Sequence, residues 1–528
     1  MKEKQLLRAM ALMLLSVLMT HCTTMRTPVD KPVTNAMTPA VNTTSALYIQ
    51  SELDKQPAGI SGFRLLTLST NALLSRITLA DHAAKSIDLQ YYIFKNDATG
   101  RLVAQHLLTA ADRGVRVRLL LDDLNLKDQR AMLDALDSHA NVAVRLFNPF
   151  NTREPSMPSK VVQWILDGSR LNRRMHNKSF IVDNKIAVIG GRNIGDDYFD
   201  ASADTNFRDL DLVAIGPVVA DASRTFDDYW NSDAAFPVTA RQSSRNKPED
   251  LAQLRLSLAK DARRFVNSDY VAAAFDELPD GATADRRGQW FWGEALLAAD
   301  TPEKAQNNNL PDSMRVVPTL EKMINASQRT LVLMSPYFIP SKENIEHLAA
   351  LTQRGVSVSV LTNSLAATDE PAVYARYATR QQGLLEGGVK LYELRPASGA
   401  NPQQAPISHG QSSGVSLHAK AFVIDGRVTY IGSMNLDSRS ELLNTEMGLI
   451  VDNLALAKAV TAFFDDAVLP SNAYQLKLSD QSKPGGGHII WSSTKNGIET
   501  HVDDEPDTTA PQRLKMRLLK LLPIDGLL

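Results

Sequence analysis

The sequence contains the octapeptide His176-Asn177-Lys178-Ser179-Phe180-Ile181-Val182-Asp183, and 242 positions later (418 − 176) it contains His418-Ala419-Lys420-Ala421-Phe422-Val423-Ile424-Asp425. Each octapeptide combines a His-x-Lys pair with an apolar run and a closing Asp, which is typical of a short strand that ends in a turn. Side chains two positions apart on a strand point to the same face. We therefore expect each histidine to lie beside its own lysine.

The paired motif indicates a class of chemistry. Two imidazoles and two ammonium groups suit a reaction at a phosphodiester, which requires a nucleophile, a general acid and fixed positive charge. Each octapeptide is followed by a Gly-containing turn that carries an asparagine, Asn193 in the first copy and Asn435 in the second. Because the whole pattern is repeated, it predicts one composite active site rather than two incidental surface motifs.

The repeat continues outward from the motifs into predicted strands and helices. Ile87–Phe94 and Leu331–Phe338 have the composition of strands, and each is followed by a helical stretch and a second strand, at Arg113–Leu119 and Arg354–Val360. The second strands are 241 positions apart (354 − 113), close to the separation of the motifs. The pattern predicts an α/β fold, with two fused α/β/α halves, mostly parallel sheets and one active site at their interface.

The predicted division of the chain is a signal or anchor at 1–22, a disordered tether at 23–60, an N-terminal half at 61–247, a connector at 248–311, a C-terminal half at 312–478 and a tail at 479–528. The connector is polar and charged and carries Trp290, Phe291 and Trp292 in a row. Two interpretations stay open. The connector is helical and its aromatic residues pack on the body, or the segment touches a membrane or binds an acyl chain.

The N-terminus has the pattern of an export signal. Lys2, Lys4 and Arg8 precede an apolar run, Ala9–Met19, that is too short to span a bilayer comfortably. Cys22, the only cysteine in the chain, follows at the position where a bacterial lipoprotein carries its lipidated cysteine, although His21 stands where signal cleavage prefers a small residue. Lipidation at Cys22, an uncleaved anchor and a cleaved soluble form all stay open.

The tail ends in a basic, amphipathic stretch, Pro511–Leu528. Its basic residues alternate with leucines in a way that suits a helix lying on anionic lipid. The same pattern suits a terminal helix that docks on the protein with a solvated basic face, and both interpretations remain.

Composition excludes a general affinity for nucleic acid. The 528 residues are enough for two cores, but the net charge is −2. An anionic substrate must therefore meet local positive charge, and Arg170, Arg173 and Arg174 form the basic cluster beside the first motif. The sequence contains no zinc cluster, Walker loop or dinucleotide fingerprint, so we expect no metal and no cofactor.

Two carboxylates are candidates for orienting the histidines. Asp209 follows the first His by 33 positions (209 − 176), and Glu446 follows the second by 28 (446 − 418). Each opens an apolar run that is predicted to be a strand. A catalytic histidine needs a partner on its second ring nitrogen to fix its tautomer and raise its basicity, so the matched placement favours a functional role over that of two solvated strand-end charges.

These residues resemble the phospholipase D superfamily, whose signature is the paired His-x-Lys-x4-Asp. The resemblance is most specific to bacterial cardiolipin synthases, and within them to the cardiolipin synthase C branch. It extends from about Gly62 to Leu478 and includes Asp88–Ile93, Ser169–Lys178, Gly190–Asp196, Thr362–Ala367 and Leu443–Gly448. The implied fold is a pair of phospholipase D-like halves.

The resemblance implies a two-step phosphatidyl transfer that uses neither metal nor cofactor. By analogy, His176 attacks phosphorus to give a phosphohistidine, while His418 serves as general acid and then as general base. The pseudo-symmetry of the sequence does not decide between the two histidines. The residues implied to hold the phosphate oxygens are Lys178, Lys420, Asn193 and Asn435. Asp183 and Asp425 complete the catalytic motif and are expected to brace it rather than touch the substrate.

The resemblance also implies partners and a location. The expected acceptor is phosphatidylglycerol, and the donor is a second phosphatidylglycerol or phosphatidylethanolamine. Because both motifs lie in one chain, a monomer suffices, and we expect it at a phospholipid membrane of the bacterial cell envelope, tethered by its N-terminus on the periplasmic side. Two rival functions share the motifs, a hydrolytic phospholipase D and, less well supported, a nuclease or other phosphodiesterase. A non-catalytic scaffold would not need both His and Lys pairs.

Overall fold

The structure of the chain is a computed structural model, and it describes residues 31–124, 126, 128–150, 167–241, 248–268, 270–271, 290–307, 309–396, 414–479, 487–495 and 498–522. Residues 34–528 form one compact unit, and all of the elements below belong to it. The predicted signal, Cys22 and residues 23–30 of the predicted tether lie outside the described residues.

In the N-terminal half, the part of the chain that the structure describes includes the following strands and helices. The strands are β1 (Ser61–Leu66), β2 (Ser86–Tyr91), β3 (Arg116–Asp122), β4 (Val142–Phe147), β5 (Ser179–Val182), β6 (Ile186–Gly190), β7 (Thr205–Arg208), β8 (Asp211–Ile215) and β9 (Ala235–Pro237). The helices are α1 (Thr44–Leu53), α2 (Ser69–His82), α3 (Ala98–Asp112), α4 (Arg130–Asp137) and α5 (Pro217–Asn231).

A helix, α6 (Pro248–Val266), and a strand, β10 (Phe291–Ala299), lead to the C-terminal half. Its helices are α7 (Val316–Asn325), α8 (Lys342–Gln353), α9 (Pro371–Tyr377), α10 (Gln381–Glu386), α11 (Ser438–Leu442), α12 (Leu454–Ala467) and α13 (Ala510–Lys520). Its strands are β11 (Thr330–Met334), β12 (Ser357–Asn363), β13 (Lys390–Leu394), β14 (Gly414–Leu417), β15 (Ala421–Ile424), β16 (Val428–Gly432), β17 (Met447–Asp452), β18 (Ala473–Leu478), β19 (Ile489–Lys495) and β20 (Ile498–Val502). Short 3-10 turns lie at Asp196–Tyr198, Val238–Arg241, Pro302–Ala305 and Asp312–Met314.

The strand pairing repeats from one half to the other. In the first half β2, β3 and β4 are parallel, and β5, β6, β8 and β1 continue the sheet with antiparallel neighbours. In the second half β11, β12 and β13 are parallel, and β15, β16 and β17 continue in the antiparallel sense. The predicted α/β class is confirmed, but the sheets are mixed rather than mostly parallel, because only three strands of each half are joined by helical crossovers.

Strand β10 joins the two halves into one sheet of 18 strands. It pairs antiparallel with β1 on one side and with β17 on the other. The segment predicted as a connector is not wholly helical, since it contributes a strand as well as the helix α6. The aromatic residues of the connector pack on the body: the Arg64 guanidinium lies 4.0 Å from the ring centroid of Trp290, and the centroids of Trp290 and Trp292 are 5.9 Å apart.

Three hydrophobic clusters explain why the central strands are buried on both faces. The middle cluster lies between the halves and contains Phe226 and Trp230 of α5 together with Val460 and Phe464 of α12. One outer cluster packs α2, α3 and α4 on the first half, and the other packs α7 and α8 on the second. Each half is consequently an α/β/α sandwich, and the two share their inner layer.

The predicted tether and tail are more ordered than expected. Residues 34–60 contain helix α1, which buries Ala46 and Ile49, and Thr34 accepts a hydrogen bond from the Trp230 indole. The tail adds the hairpin of β19 and β20 to the edge strand β18 before it ends in α13. Among the described residues, no helix combines the length and the apolar character needed to span a bilayer.

Candidate active site

Both His-x-Lys pairs lie between strands, at the junction of the two halves. His176 and Lys178 precede β5, and His418 and Lys420 occupy the gap between β14 and β15. The strands β5 and β15 are thus shorter than the strands predicted from the octapeptides. The backbone turns from one partner to another at these positions: β14 pairs with β7 of the other half, whereas β15 pairs with β11 and β16 of its own half.

Backbone hydrogen bonds between the halves fix each histidine. The His176 amide donates to the Thr445 carbonyl at 2.9 Å, next to the parallel bridge between Met175 and Thr445. The His418 amide donates to the Arg208 carbonyl at 2.8 Å, at the end of the parallel β7–β14 pair. The backbone of each histidine is therefore bound to the opposite half, at the residue that precedes Glu446 or Asp209 in the sequence.

The histidine and carboxylate pairs are crossed. His176 Nδ1 lies 2.8 Å from Glu446 Oε2, and His418 Nδ1 lies 2.6 Å from Asp209 Oδ2. All four residues are buried. The predicted carboxylates do meet the predicted histidines, and the structure adds that each pair consists of one residue from either half. In both pairs Nδ1 is taken by the carboxylate, so Nε2 is the nitrogen left for chemistry.

The two lysines repeat each other in detail. Lys178 Nζ donates to the His176 carbonyl and Lys420 Nζ to the His418 carbonyl, both at 2.6 Å, and both residues are 1% exposed. Burial lowers the pKa of Lys178 to about 7, and the charge of Lys420 contributes to this shift. Burial lowers the pKa of Lys420 to about 8. An anion placed between the lysines would raise both values.

The histidines are neutral at physiological pH. Burial lowers the pKa of His176 to about 4 and that of His418 to about 3, although the carboxylate partner acts in the opposite direction in each case. Burial likewise opposes the charge of Glu446 and Asp209, but the adjacent imidazole holds the pKa of each carboxylate below its ordinary value. The free site therefore contains two neutral imidazoles, each with its Nδ1 proton directed at a carboxylate.

The surroundings hold both carboxylates in place. The Glu446 amide donates to Asp300 Oδ2 at 2.8 Å, and the Ser433 hydroxyl donates to the Glu446 carboxylate. On the other side Asp209 packs against Gly191, where a Cβ would collide with its Oδ1. This close approach gives a physical reason for the glycine at position 191.

Aromatic rings that the sequence analysis did not single out as site residues flank the histidines. The Tyr92 ring meets His176 edge-on with centroids 5.0 Å apart. The rings of Tyr198 and Phe207 lie 5.1 and 5.0 Å from that of His418. A sequence signal existed for Phe207, which stands two positions before Asp209, and for Tyr92, which falls within the first quoted strand.

The predicted asparagines have different environments. Asn193 Oδ1 accepts a hydrogen bond from the Ile93 amide at 3.1 Å. Asn435 is 4% exposed, and among the described residues its Oδ1 has no hydrogen-bond partner. Asn193 is thus engaged by the backbone of its own half, whereas Asn435 retains a free acceptor.

Asp183 and Asp425 lie at the far ends of β5 and β15, away from the histidines. Asp183 accepts hydrogen bonds from the amides of Ala84, Lys85 and Ser86, and Asp425 accepts from those of Gln328, Arg329 and Thr330. These contacts are those expected of braces, because each carboxylate fixes the chain that enters the neighbouring parallel strand.

The basic cluster beside the first motif was expected to meet an anionic substrate, but its guanidinium groups bind other parts of the protein. Arg170 donates to Asp167 and to Asn148, and Arg173 donates to the Lys304 carbonyl. Arg174 is fully buried and lies 3.4 Å from Asp122. These guanidinium groups hold loops together, so the positive charge of the site comes from the two lysines.

Comparisons with known proteins identify the family of this chain. A family model described as "Cardiolipin synthase, PLD-like domain" matches residues 76–230 and 320–468, one segment in each half. The chain is 38% identical to cardiolipin synthase C of Escherichia coli over 90% of its own length and 98% of that protein. It is 34% identical to an uncharacterized protein of Helicobacter pylori over 94% and 95% of the two lengths.

One solved structure has a similar fold. The crystal structure of phosphatidylserine synthase from Haemophilus influenzae aligns with a TM-score of 0.53 and 13% sequence identity, over 92% of this chain and 100% of that one. At this identity the likeness concerns the fold alone. It supports the arrangement of two α/β halves around a shared inner layer.

Proposed function

The chain belongs to the PLD-like cardiolipin synthases and is a phosphatidyltransferase, and from this premise we propose that it transfers a phosphatidyl group to phosphatidylglycerol through a phosphohistidine. The crossed His176–Glu446 and His418–Asp209 pairs carry the proposal. They present two neutral imidazoles and two lysines to one buried place, which suits an in-line displacement at phosphorus with a base on one side and an acid on the other.

In the first step His176 Nε2 attacks phosphorus of the donor phospholipid. An N–P bond forms, the P–O bond to the headgroup alcohol breaks, and His418 gives its proton to the departing oxygen. Because His176 is neutral in the free site, its lone pair is available at neutral pH. The anionic phosphate raises the pKa of His418 when it enters, so binding of the substrate favours the protonated acid.

In the second step a hydroxyl of phosphatidylglycerol displaces His176. His418, now neutral, takes the proton from that hydroxyl while the O–P bond forms and the N–P bond breaks. Lys178 and Lys420 hold the non-bridging oxygens, since each has donors left after its single backbone bond. Asn435, whose Oδ1 has no partner among the described residues, would orient the attacking or departing hydroxyl.

The reaction can be tested by the lipids it forms. Purified full-length protein is incubated with labelled phosphatidylglycerol, with and without phosphatidylethanolamine, and the lipids are separated. We expect cardiolipin, and a dependence on phosphatidylethanolamine would identify the donor. Phosphatidic acid as the sole product would instead establish hydrolysis. The variants His176→Ala and His418→Ala should both abolish turnover, with the exposed His82→Ala as a matched control.

We also propose that the protein meets the membrane through α13. This helix has two apolar faces. Met516 is buried and Leu519 packs against the outer cluster of the second half, whereas Leu514, Leu518 and Leu521 are 60%, 59% and 80% exposed. Arg517 and Lys515 flank the exposed stripe, which suits an anionic lipid surface. Both interpretations of the tail thus find support, one on each face.

The surroundings of α13 favour this role. It packs against α9, which begins directly after Asp369 and Glu370, and the charge of Asp369 acts to raise the pKa of Lys420 in the active site. A membrane at the exposed leucine stripe would therefore lie on the side of the active site where Asp369 is found. The N-terminal tether at Cys22 would add a second attachment on the periplasmic side of the cell envelope, and a single chain would carry the complete site.

A site-specific label tests α13 independently of the N-terminus. Leu518→Cys in a Cys22→Ser background carries an environment-sensitive fluorophore, and Leu454→Cys, 65% exposed on α12, is the matched control. With phosphatidylglycerol vesicles we expect a blue shift at position 518 and none at 454. Equal responses at both positions would refute a membrane contact through this helix.

A further inference from the structure

A cavity of about 90 Å³ lies in the C-terminal half between α7, α8 and β11. Its wall is mostly apolar and includes Leu320 of α7, Leu333 of β11, Leu348 of α8, and Phe338 and Met434 from loops. Asp437, Glu441 and Asn344 form part of its polar rim. This space, the α7–α8 cavity, suits a hydrocarbon group, because enclosed apolar walls offer a polar headgroup no hydrogen-bond partners.

One loop joins the cavity to the active site. Gly432 donates its amide to the Lys420 carbonyl, and Ser433 donates to Glu446, the partner of His176. The next residues reach the cavity, where Met434, Leu436 and Asp437 line the wall and rim. Asn435, whose acceptor is free, lies between two wall residues. The rim is close to the lysines, since the charge of Asp437 acts to raise the pKa of Lys420.

The N-terminal half fills the corresponding place with charges. Strand register equates Asp211 with Gly448 and Arg192 with Met434, since Gly190 pairs with Asp211 and Gly432 with Gly448. Asp183 accepts a hydrogen bond from the Ser86 amide and Asp425 accepts one from the Thr330 amide, so Ser86 and Thr330 are equivalent. Ten positions before them stand Arg76 of α2 and Leu320 of α7, which are therefore equivalent too.

In the first half, Arg76 and Arg192 lie 3.0 and 3.3 Å from Asp211, all of them fully or almost fully buried. This ion triad occupies the space beside the helix. The second half has Leu320, Met434 and Gly448 at the same positions, which removes these charges; Leu320 and Met434 line the α7–α8 cavity, and the Tyr430 ring packs against Gly448.

We infer that the α7–α8 cavity receives the end of one acyl chain of the phospholipid whose phosphate lies between His176 and His418. The inference rests on the proposed function and adds a subsite to it. The hydrocarbon part of such a substrate is its acyl chains. We expect one chain to run along the loop Gly432–Asp437 from the lysines to the cavity wall at Met434. Chain binding here would orient the lipid relative to the two histidines.

Photocrosslinking tests the site without turnover. Full-length protein in detergent micelles is given phosphatidylglycerol with a diazirine at the end of one acyl chain, and the labelled peptides are mapped. We expect labels on α7 and α8. Ile324→Trp, at the half-buried rim, should reduce labelling of α8 at least about fivefold, whereas the neighbouring Met323→Trp should leave it within about twofold. Leu436→Trp closes the cavity from the opposite wall if Ile324→Trp unfolds.

Chain-length dependence gives a second readout. With monomeric short-chain phosphatidylglycerols, kcat/KM should rise roughly fourfold for each methylene that enters the cavity, the equivalent of about 0.8 kcal/mol per buried CH2. Ile324→Trp should flatten this rise, whereas Met323→Trp should keep it.

The outcomes separate the subsite from the proposed function. Labels found only outside α7 and α8, or an unchanged chain-length profile in both tryptophan variants at the cavity, would overturn the inference while phosphatidyl transfer stood. Labels on α7 and α8 in a protein that formed no cardiolipin would contradict the proposed reaction and leave the hydrocarbon site in place.

Discussion

The two halves build the same catalytic frame and surround it differently. Each supplies a His-x-Lys pair, a carboxylate for the other half's histidine and an aspartate brace. Around His176 stand one ring, Tyr92, and a glutamate that also binds Ser433. Around His418 stand two rings, those of Tyr198 and Phe207, and a shorter aspartate. The frame is common to both halves, and the differences around it are a physical basis for the unequal roles that we propose for the two histidines.

The difference also teaches how a duplicated fold can become asymmetric at low cost. Exchanging charged for apolar residues beneath one loop leaves the strands unchanged, because the ion triad of the first half and the apolar wall of the second fill equivalent positions. Asymmetry of function therefore does not require asymmetry of backbone. The following predictions test how far the equivalence of the two sides extends.

The largest effect should separate the two histidines by their roles. His176→Ala should lose at least about 10⁴-fold in turnover with any donor, since the proposed phosphohistidine could not form. His418→Ala should lose about 10²–10⁴-fold with a natural phospholipid. It should recover much of this with phosphatidyl-p-nitrophenol, whose departing oxygen needs no proton.

The measurement is the burst of p-nitrophenol together with trapping of labelled phosphate on the protein. His82→Ala should behave as wild type. If His176→Ala gave the burst and His418→Ala did not, the nucleophile would be His418 and the assignment of roles would be reversed.

A smaller effect is expected from the crossed carboxylates. Glu446→Gln and Asp209→Asn keep the shape but exchange an accepting oxygen for an amide, so each imidazole loses the partner that fixes its tautomer. We expect kcat to fall about 10- to 100-fold in each variant. With the p-nitrophenol donor the loss in Asp209→Asn should shrink, whereas that in Glu446→Gln should persist. If each variant lost the same factor in kcat with the p-nitrophenol donor as with the natural donor, Asp209 would not serve a general acid and Glu446 a nucleophile.

The lysines predict an alkaline limb in the pH dependence. Both must be protonated to hold phosphate oxygens, and their pKa values of about 7 and about 8 lie below that of an ordinary lysine. As pH rises through these values charge is lost, so kcat/KM should fall between about pH 7 and pH 9. Bound phosphate raises both values, so the limb of kcat should lie at higher pH.

Arginine variants distinguish the two lysines. Lys178→Arg should move the midpoint of the kcat/KM limb upward, toward the value of the remaining lysine, whereas Lys420→Arg should leave the midpoint near that of Lys178. The shape of the pH profile is the readout, because arginine changes the absolute rate through its geometry. A profile that stays flat up to pH 9 in the wild type would contradict the low lysine pKa values.

The sequence predicted the frame of the site but not its crossing. Repetition identified His176, His418 and both lysines, and matched positions identified Asp209 and Glu446. Spacing along the chain could not show that each carboxylate serves the histidine of the other half, because the exchange depends on the β7–β14 pair and on the bridge between Met175 and Thr445. Contacts of this kind between distant segments leave no local pattern.

In the connector, strand pairing outweighs local propensity. The run Glu294–Ala299 consists of strong helix formers, yet it lies in strand β10. The edges of the two sheets, at β1 and β17, offer unpaired backbone groups on both sides of this segment, and their pairing outweighs the helix preference. No sequence pattern predicted the α7–α8 cavity either. The roles of Leu320, Met434 and Gly448 show only when they are compared with the charged residues at the equivalent positions of the first half.

The smallest effects are expected from the braces, and they concern stability rather than turnover. Asp183→Asn and Asp425→Asn keep a residue that tolerates the positive φ of 54° found at both positions. Asp183 is buried, so its loss of charge and of one acceptor should reduce the free energy of unfolding by about 1–2 kcal/mol. Asp425 is partly exposed, and its replacement should cost less than about 1 kcal/mol.

The pH dependence of stability provides the control. Backbone amides outweigh burial at Asp425 and hold the pKa of its carboxyl below the unfolded value, so its contribution is present above the unfolded pKa and is lost as pH falls through the folded one. Denaturant unfolding of Asp425→Asn should therefore differ from wild type at pH 7 and converge with it near pH 2. Should either variant lose kcat without losing stability, the aspartate would act in catalysis, and the two ends of the motif would no longer divide into chemistry and support.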